Sequence, residues 1–95
     1  MSTPYKNSIH TLKSQSVTVA NTATLIPTTN LTSRRAMLIY NNGSNTVYLG
    51  ASTVTAIKGY PILPGQDISF DCEVGFALYG ITESGTSDIR IMETA

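Results

Sequence analysis

A chain of 95 residues has room for about one domain and one core, near the lower end of sizes that fold without metal or disulfide help. Six basic residues balance six acidic ones, so there is no net field to collect nucleic acid or anionic lipid, and neither is expected as a partner. The lone Cys72 excludes an intrachain disulfide and a thiol metal cluster, leaving packing or partner chains to hold the fold.

Residues 1–15 are polar and read as an extended N-terminal arm. Tyr5, Ile9 and Leu12 are its sizeable apolar side chains, and hence its anchors on a partner. No apolar run is long enough to span a bilayer, and the first residues lack the apolar centre of a signal peptide. The expectation is a soluble protein made in a cytoplasm, in which the sequons Asn30-Leu31-Thr32 and Asn42-Gly43-Ser44 are chance matches.

From residue 16 to 95 the texture is that of one β-sandwich domain. Short runs rich in Val, Ile, Thr and Tyr are separated by Gly, Pro, Asn and Ser clusters at intervals of about ten residues. The predicted strands are 16–20, 23–26, 36–41, 46–51, 67–72, 76–82 and 88–93, and no window keeps a helical apolar period. Val17 and Val19 alternate with polar residues, as do Ile68, Phe70 and Cys72, so both strands should bury one face and wet the other. Pro27 lacks a ladder donor and should end its strand or sit on an edge. The segment 55–65, with two prolines and two glycines, reads as a loop crossing between sheets, with Ile62 and Leu63 plugging the sandwich end.

The stretch 39–52 is read as a hairpin. A two-residue Asn42-Gly43 turn sets Leu38 against Val47 and Tyr40 against Asn45; a loop from Asn42 to Asn45 sets Leu38 against Leu49 and Tyr40 against Val47, pairing apolar with apolar. Either register leaves Ala36, Leu38, Tyr40, Val47 and Leu49 on the buried face. A second hairpin is expected near the C-terminus, with two registers open. A Ser84-Gly85 turn puts Leu78 opposite Ile91, and a three-residue loop puts Ile81 opposite Ile89 and Tyr79 opposite Ile91.

Catalytic signals are sparse, and the chain is expected not to be an enzyme and to need no cofactor or metal. An anion cradle at Asn42 to Asn45 would need converging N–H groups at a helix start, where a strand follows instead. Cys72 alternates with Phe70 as a small apolar residue, and His10 lies in the arm without a rigid element to position it. Asp67, Asp71 and Glu73 share one strand face with alternate side chains about 7 Å apart, a solvated row that discourages edge pairing more readily than it binds Ca²⁺. Arg34 and Arg35 precede a strand and could grip an acidic partner, with a solvated pair as the default. Tyr40 and Tyr48 should point to opposite faces, and one exposed Tyr is not a sugar-stacking platform, so carbohydrate binding stays open without support from the tyrosines.

Val17 and Val19, Thr22 to Pro27, Arg35 with Tyr40 and Asn42, Val47 to Gly50, Pro64-Gly65, Tyr79-Gly80 and Glu93 form a pattern over about 80 residues that resembles small β-sandwich proteins on tailed-bacteriophage particles, capsid decoration (cement) proteins and head-fibre bases among them. The resemblance implies an all-β, compact antiparallel sandwich, jelly-roll-like or a small barrel, of 7–8 short strands. It also implies a structural protein of the virion surface that bridges adjacent subunits of the major capsid protein, as a homo-oligomer with a trimer ahead of a dimer. The chain lacks a collagen-like or coiled-coil stalk, which favours a compact decoration protein over a full fibre. The alternative is a host-recognition or carbohydrate-binding module of a tail or fibre, with the exposed tips Asn42, Gly43, Ser44 and Asn45, Tyr60, and Ser84 to Ser87 as its binding end.

Overall fold

In the computed structural model, which describes residues 12–27, 36–72 and 76–94, the alternation expected around Val17 and Val19 becomes an eight-residue strand, β1 (Leu12–Val19). It starts four residues ahead of the run at 16–20, because Leu12 to Gln15 pair with the end of the last strand, from Leu12↔Thr94 to Gln15↔Ile91. The others are β2 (Thr24–Ile26), β3 (Ala36–Asn41), β4 (Val47–Gly50), β5 (Tyr60–Ile62), β6 (Asp67–Asp71), β7 (Leu78–Thr82) and β8 (Ser87–Thr94). They form two antiparallel four-stranded sheets of order β1-β8-β3-β6 and β2-β7-β4-β5. Every connection except β4–β5 passes from one sheet to the other, and this interleaving is the strand order of an eight-stranded jelly roll.

Neither expected hairpin exists. β3 has β8 on one side and β6 on the other, while β4 lies between β7 and β5 in the opposite sheet. The segment after Asn41 is therefore an arch between sheets, and the same holds for the turn between β7 and β8, so neither C-terminal register occurs. Gly, Asn and Ser serve an arch as well as a hairpin, and only the competition for β3's two edges by sequence-distant strands separates the two.

The buried face of β3 is consequently Met37, Ile39 and Asn41, at 1%, 0% and 0% exposure; Ala36, Leu38 and Tyr40 point outward, contrary to expectation. Val47 and Leu49 are buried as expected. They meet Val17, Val19, Ile26, Ile62, Leu78, Ile89 and Ile91 from the two inner faces, with Ile68, Phe70 and Cys72 packed at the side. Burying each Val, Ile or Leu here contributes about 1.5–3 kcal/mol before the cost of ordering the chain. Phe76 closes one end edge-on against Phe70, with ring centroids 5.6 Å apart. The segment 55–65, expected as a loop crossing between sheets, instead contains β5 beside β4 in the same sheet, and the crossing comes only after Ile62; Ile62 is a buried plug as expected, whereas Leu63 is half in solvent. β2 ends at Ile26 ahead of Pro27 and is a sheet edge, satisfying both expectations for that proline.

One end of the sandwich is tied together by Asn41. Its Nδ2 donates to Asn45 O (2.9 Å) and Ile62 O (2.8 Å), and its Oδ1 accepts from Gly43 N (3.1 Å) and Ser87 Oγ (2.7 Å). Its backbone N–H donates to Gln66 O and its carbonyl accepts from Gly65 N. The β3–β4 arch, the end of β5, the β5–β6 turn and the start of β8 thus share one buried amide. Gly43 lies flat on β8 there, and a Cβ at this position would press on Ser87 Oγ and stand 2.7 Å from Asp88 N. Gly43→Ala is expected to destabilise the fold by about 2–3 kcal/mol, read from the midpoint of denaturant unfolding.

Candidate interaction surface

The outer face of the β1-β8-β3-β6 sheet is built by the outward half of each alternation. Cross-strand register places Ser14, Met92, Leu38 and Ser69 in one row, and Ser16, Arg90, Tyr40 and Asp67 in the next. A third row runs Leu12, Thr94, Ala36 and Asp71. Leu38, Met92, Tyr40 and Ala36 therefore adjoin on the two central strands, while the outer ones carry hydroxyls and carboxylates, with Leu12 at one corner. Tyr40 and Met92 keep 39% and 37% of their surface in solvent. A shallow depression of about 610 Å³ runs over them, lined by Ser14, Ser16, Leu38, Tyr40, Arg90 and Met92. A solvated sheet face is ordinarily polar at its centre, and an apolar centre inside a polar rim is the anatomy of a protein-binding surface.

One charged pair on this face is neutralised internally, while Asp67 and Asp71 stay exposed at its β6 edge. Arg90 Nε donates to Asp88 Oδ2 at 2.8 Å, and Asn42 Nδ2 donates to the same oxygen at 3.0 Å. The Asn42 hydrogen bond, followed by that from Arg90, holds the Asp88 carboxyl below its ordinary value. Hydrogen bonds to the ionised form keep that carboxylate charged and paired, so it presents little net field to a partner.

The sequence-predicted residues are distributed as follows. Leu12 opens β1 and is 59% exposed, at the end of the outer-face array. Tyr5, Ile9, His10, Arg34, Arg35 and Glu73 lie outside the described residues. Asn42, Gly43, Ser44 and Asn45 form the β3–β4 arch, which meets the β7–β8 turn: Asn45 Nδ2 donates to Thr86 O at 2.7 Å. In that turn Gly85 has φ +72°, and its carbonyl accepts from Thr82 Oγ1 at 2.7 Å. Tyr60 is exposed but does not join these loops; it lines a separate depression with Pro61, Gly65 and Gln66. Asp67 and Asp71 are exposed on β6, a sheet edge, as an edge-guarding role requires. Cys72 is half-buried against the core.

Sequence reasoning missed Asn41 as the buried tie at one end of the sandwich and Leu38 and Met92 as members of the outer face. Asn41 and Asn42 are indistinguishable as adjacent letters. A signal did exist for Leu38, since "AMLIY" is apolar at both parities, the mark of a strand covered on both faces. Glu93 is fully buried on β8 and accepts from Gln15 Nε2 at 2.8 Å. Among the described residues no three His, Cys, Asp or Glu side chains converge as metal ligands.

Fold and surface together define a jelly-roll β-sandwich whose β1-β8-β3-β6 sheet carries an apolar-centred outer face. No protein-family model matches the chain, and no curated protein matches its sequence.

Proposed function

We propose that this is a non-enzymatic structural protein of a tailed-phage virion, a homo-oligomeric decoration protein that binds the outside of the capsid and bridges adjacent major capsid subunits. The reading is supported first by the apolar centre formed by Leu38, Tyr40 and Met92 on the outer sheet face, a surface that gains free energy when a partner covers it. A ligand that binds only the assembled lattice stabilises it by linkage, and many copies add avidity without new chemistry.

The test is co-sedimentation with tailed-phage heads. Leu38→Glu is expected to weaken binding by about a hundredfold or more while the far-ultraviolet circular dichroism stays that of the wild type, since a carboxylate would have to be desolvated in the interface. Deleting residues 1–11, which leaves β1 whole, reports on the arm separately. Wild-type protein that ignores the heads overturns the decoration role, and a Leu38→Glu variant that binds normally removes this face from it.

A second reading, a host-recognition or carbohydrate-binding module of a tail or fibre, is favoured by the meeting of the 42–45 and 84–87 loops at one polar tip. It requires glycan or host-cell binding that is lost on substituting Asn42 and Ser84.

A further inference from the structure

Among the described residues the two sheets have four edge strands, and three of them carry devices against pairing. β2 is three residues long and runs into Pro27; β5 is three residues long with Pro61 at its centre; β6 is bracketed by Asp67 and Asp71. Short length, proline and charge are the means by which proteins blunt an edge. β1 is the least protected of the four, with one charge near its start. It is eight residues long, contains no proline, carries Lys13 as its single charge, and pairs on one side only among the described residues.

We propose that two copies of this chain pair through the open side of β1, antiparallel about a two-fold axis at Ser16, joining two four-stranded sheets into one of eight strands. Inner face must continue into inner face, so residues opposite each other must both be even-numbered or both odd-numbered. With the axis at Ser16, Leu12 lies opposite Ala20 of the second copy, Ser14 opposite Thr18, and Ser16 opposite its own symmetry mate. The outer row is then hydroxyl against hydroxyl with an apolar contact at each end, and hydroxyl pairs of this kind are favourable across strands. The exposed Leu12 side chain acquires a neighbour. The two Lys13 ammonium groups stand about 20 Å apart, beyond the screening length of physiological salt. Moving the axis to Gln15 would put Leu12 on Thr18 and lose both apolar contacts. A self-complementary strand is what a second copy requires and what a foreign strand does not. This pairing supplies the surface for the homo-oligomer proposed above, rests on that part of the reading, and selects a dimer over the trimer.

Sedimentation equilibrium of the full chain without phage heads tests it, keeping the outcome separate from head binding. An interface of one strand pair is at the small end of specific contacts, so a dissociation constant of about 1–100 µM is expected. Ser16→Glu, which sets two carboxylates face to face on the axis, should abolish the dimer with the circular dichroism unchanged. In a Cys72→Ser background, Ser16→Cys should give a disulfide dimer with oxidised glutathione, whereas Ser14→Cys should not, its mate being about 13 Å away. A wild-type chain that stays monomeric at about 500 µM overturns the proposal, as does a dimer that survives Ser16→Glu or a Ser14→Cys chain that cross-links as readily as Ser16→Cys. Should Ser16→Glu unfold, the two cysteine variants decide the matter.

Discussion

Asn41→Ala is expected to lower the free energy of unfolding by about 3–5 kcal/mol, the largest effect of any polar substitution among the described residues. The amide satisfies Asn45 O, Ile62 O, Gly43 N and Ser87 Oγ at once, and its removal leaves those groups facing a cavity at a fully buried position. Each orphaned group costs about 1–3 kcal/mol unless water enters to replace the amide, which is why the total stays below the sum of the parts. Asn41→Asp should be at least as damaging, because an ionised carboxylate would aim acceptors at two carbonyls. A domain of this size has about 5–10 kcal/mol in hand, so either variant approaches unfolding at room temperature. Asn42→Ala is the control. It removes an exposed bond to Asp88 and should change stability by less than about 0.5 kcal/mol. Urea denaturation of the three variants measures the contrast, and an Asn41→Ala loss below about 1 kcal/mol would mean that this amide does not hold the corner.

Ile39→Ala is expected to cost about 3–4 kcal/mol, against less than about 1 kcal/mol for Tyr40→Ser next to it. Ile39 is fully buried on the central strand β3 and stands opposite Ile91 on one side and Ile68 on the other, so truncation leaves a void that three strands would have to shift to fill. Tyr40 is 39% exposed and faces outward beside Arg90 and Asp67. Unfolding midpoints of the two variants report directly which face of β3 is inside. The reversed order would restore the burial expected from the sequence and dissolve the apolar outer face along with the proposed docking surface. Tyr40→Ser also tests the proposed function, which expects it to weaken attachment to phage heads while sparing the fold.

The two expectations concern one chain segment, which links stability to surface. Asn41 anchors the end of β3 and orders the arch that follows, and β3 in turn presents Leu38 and Tyr40 at a fixed register beside Met92. Loosening the corner should therefore blur the outer face without touching it.

Several features were legible in the order of residues alone. The absence of a helical period and the regular turn chemistry led to an all-β sandwich; the alternation around Val17 and Val19 identified their inward face, and Pro27 marked the end of β2. The acidic row at Asp67 and Asp71 belongs to an edge strand, where charge prevents pairing. Of the candidate surface, Leu12 was picked out, whereas Leu38 and Tyr40 were placed in the core.

Periodicity is a local property, readable wherever one parity is apolar and the other polar, and for this chain it determined seven of the eight strands, all but β5, and the faces of β1 and β6. Only the tertiary structure decided which strands pair, that the chain crosses between sheets after Asn41 and again after Thr82, and which of two apolar parities of β3 turns inward. Those choices rest on free energies shared among strands far apart in the chain. Packing β8 and β6 against both edges of β3 completes a closed core, whereas a local hairpin with β4 would occupy one of those edges and leave a sequence-distant strand unpaired.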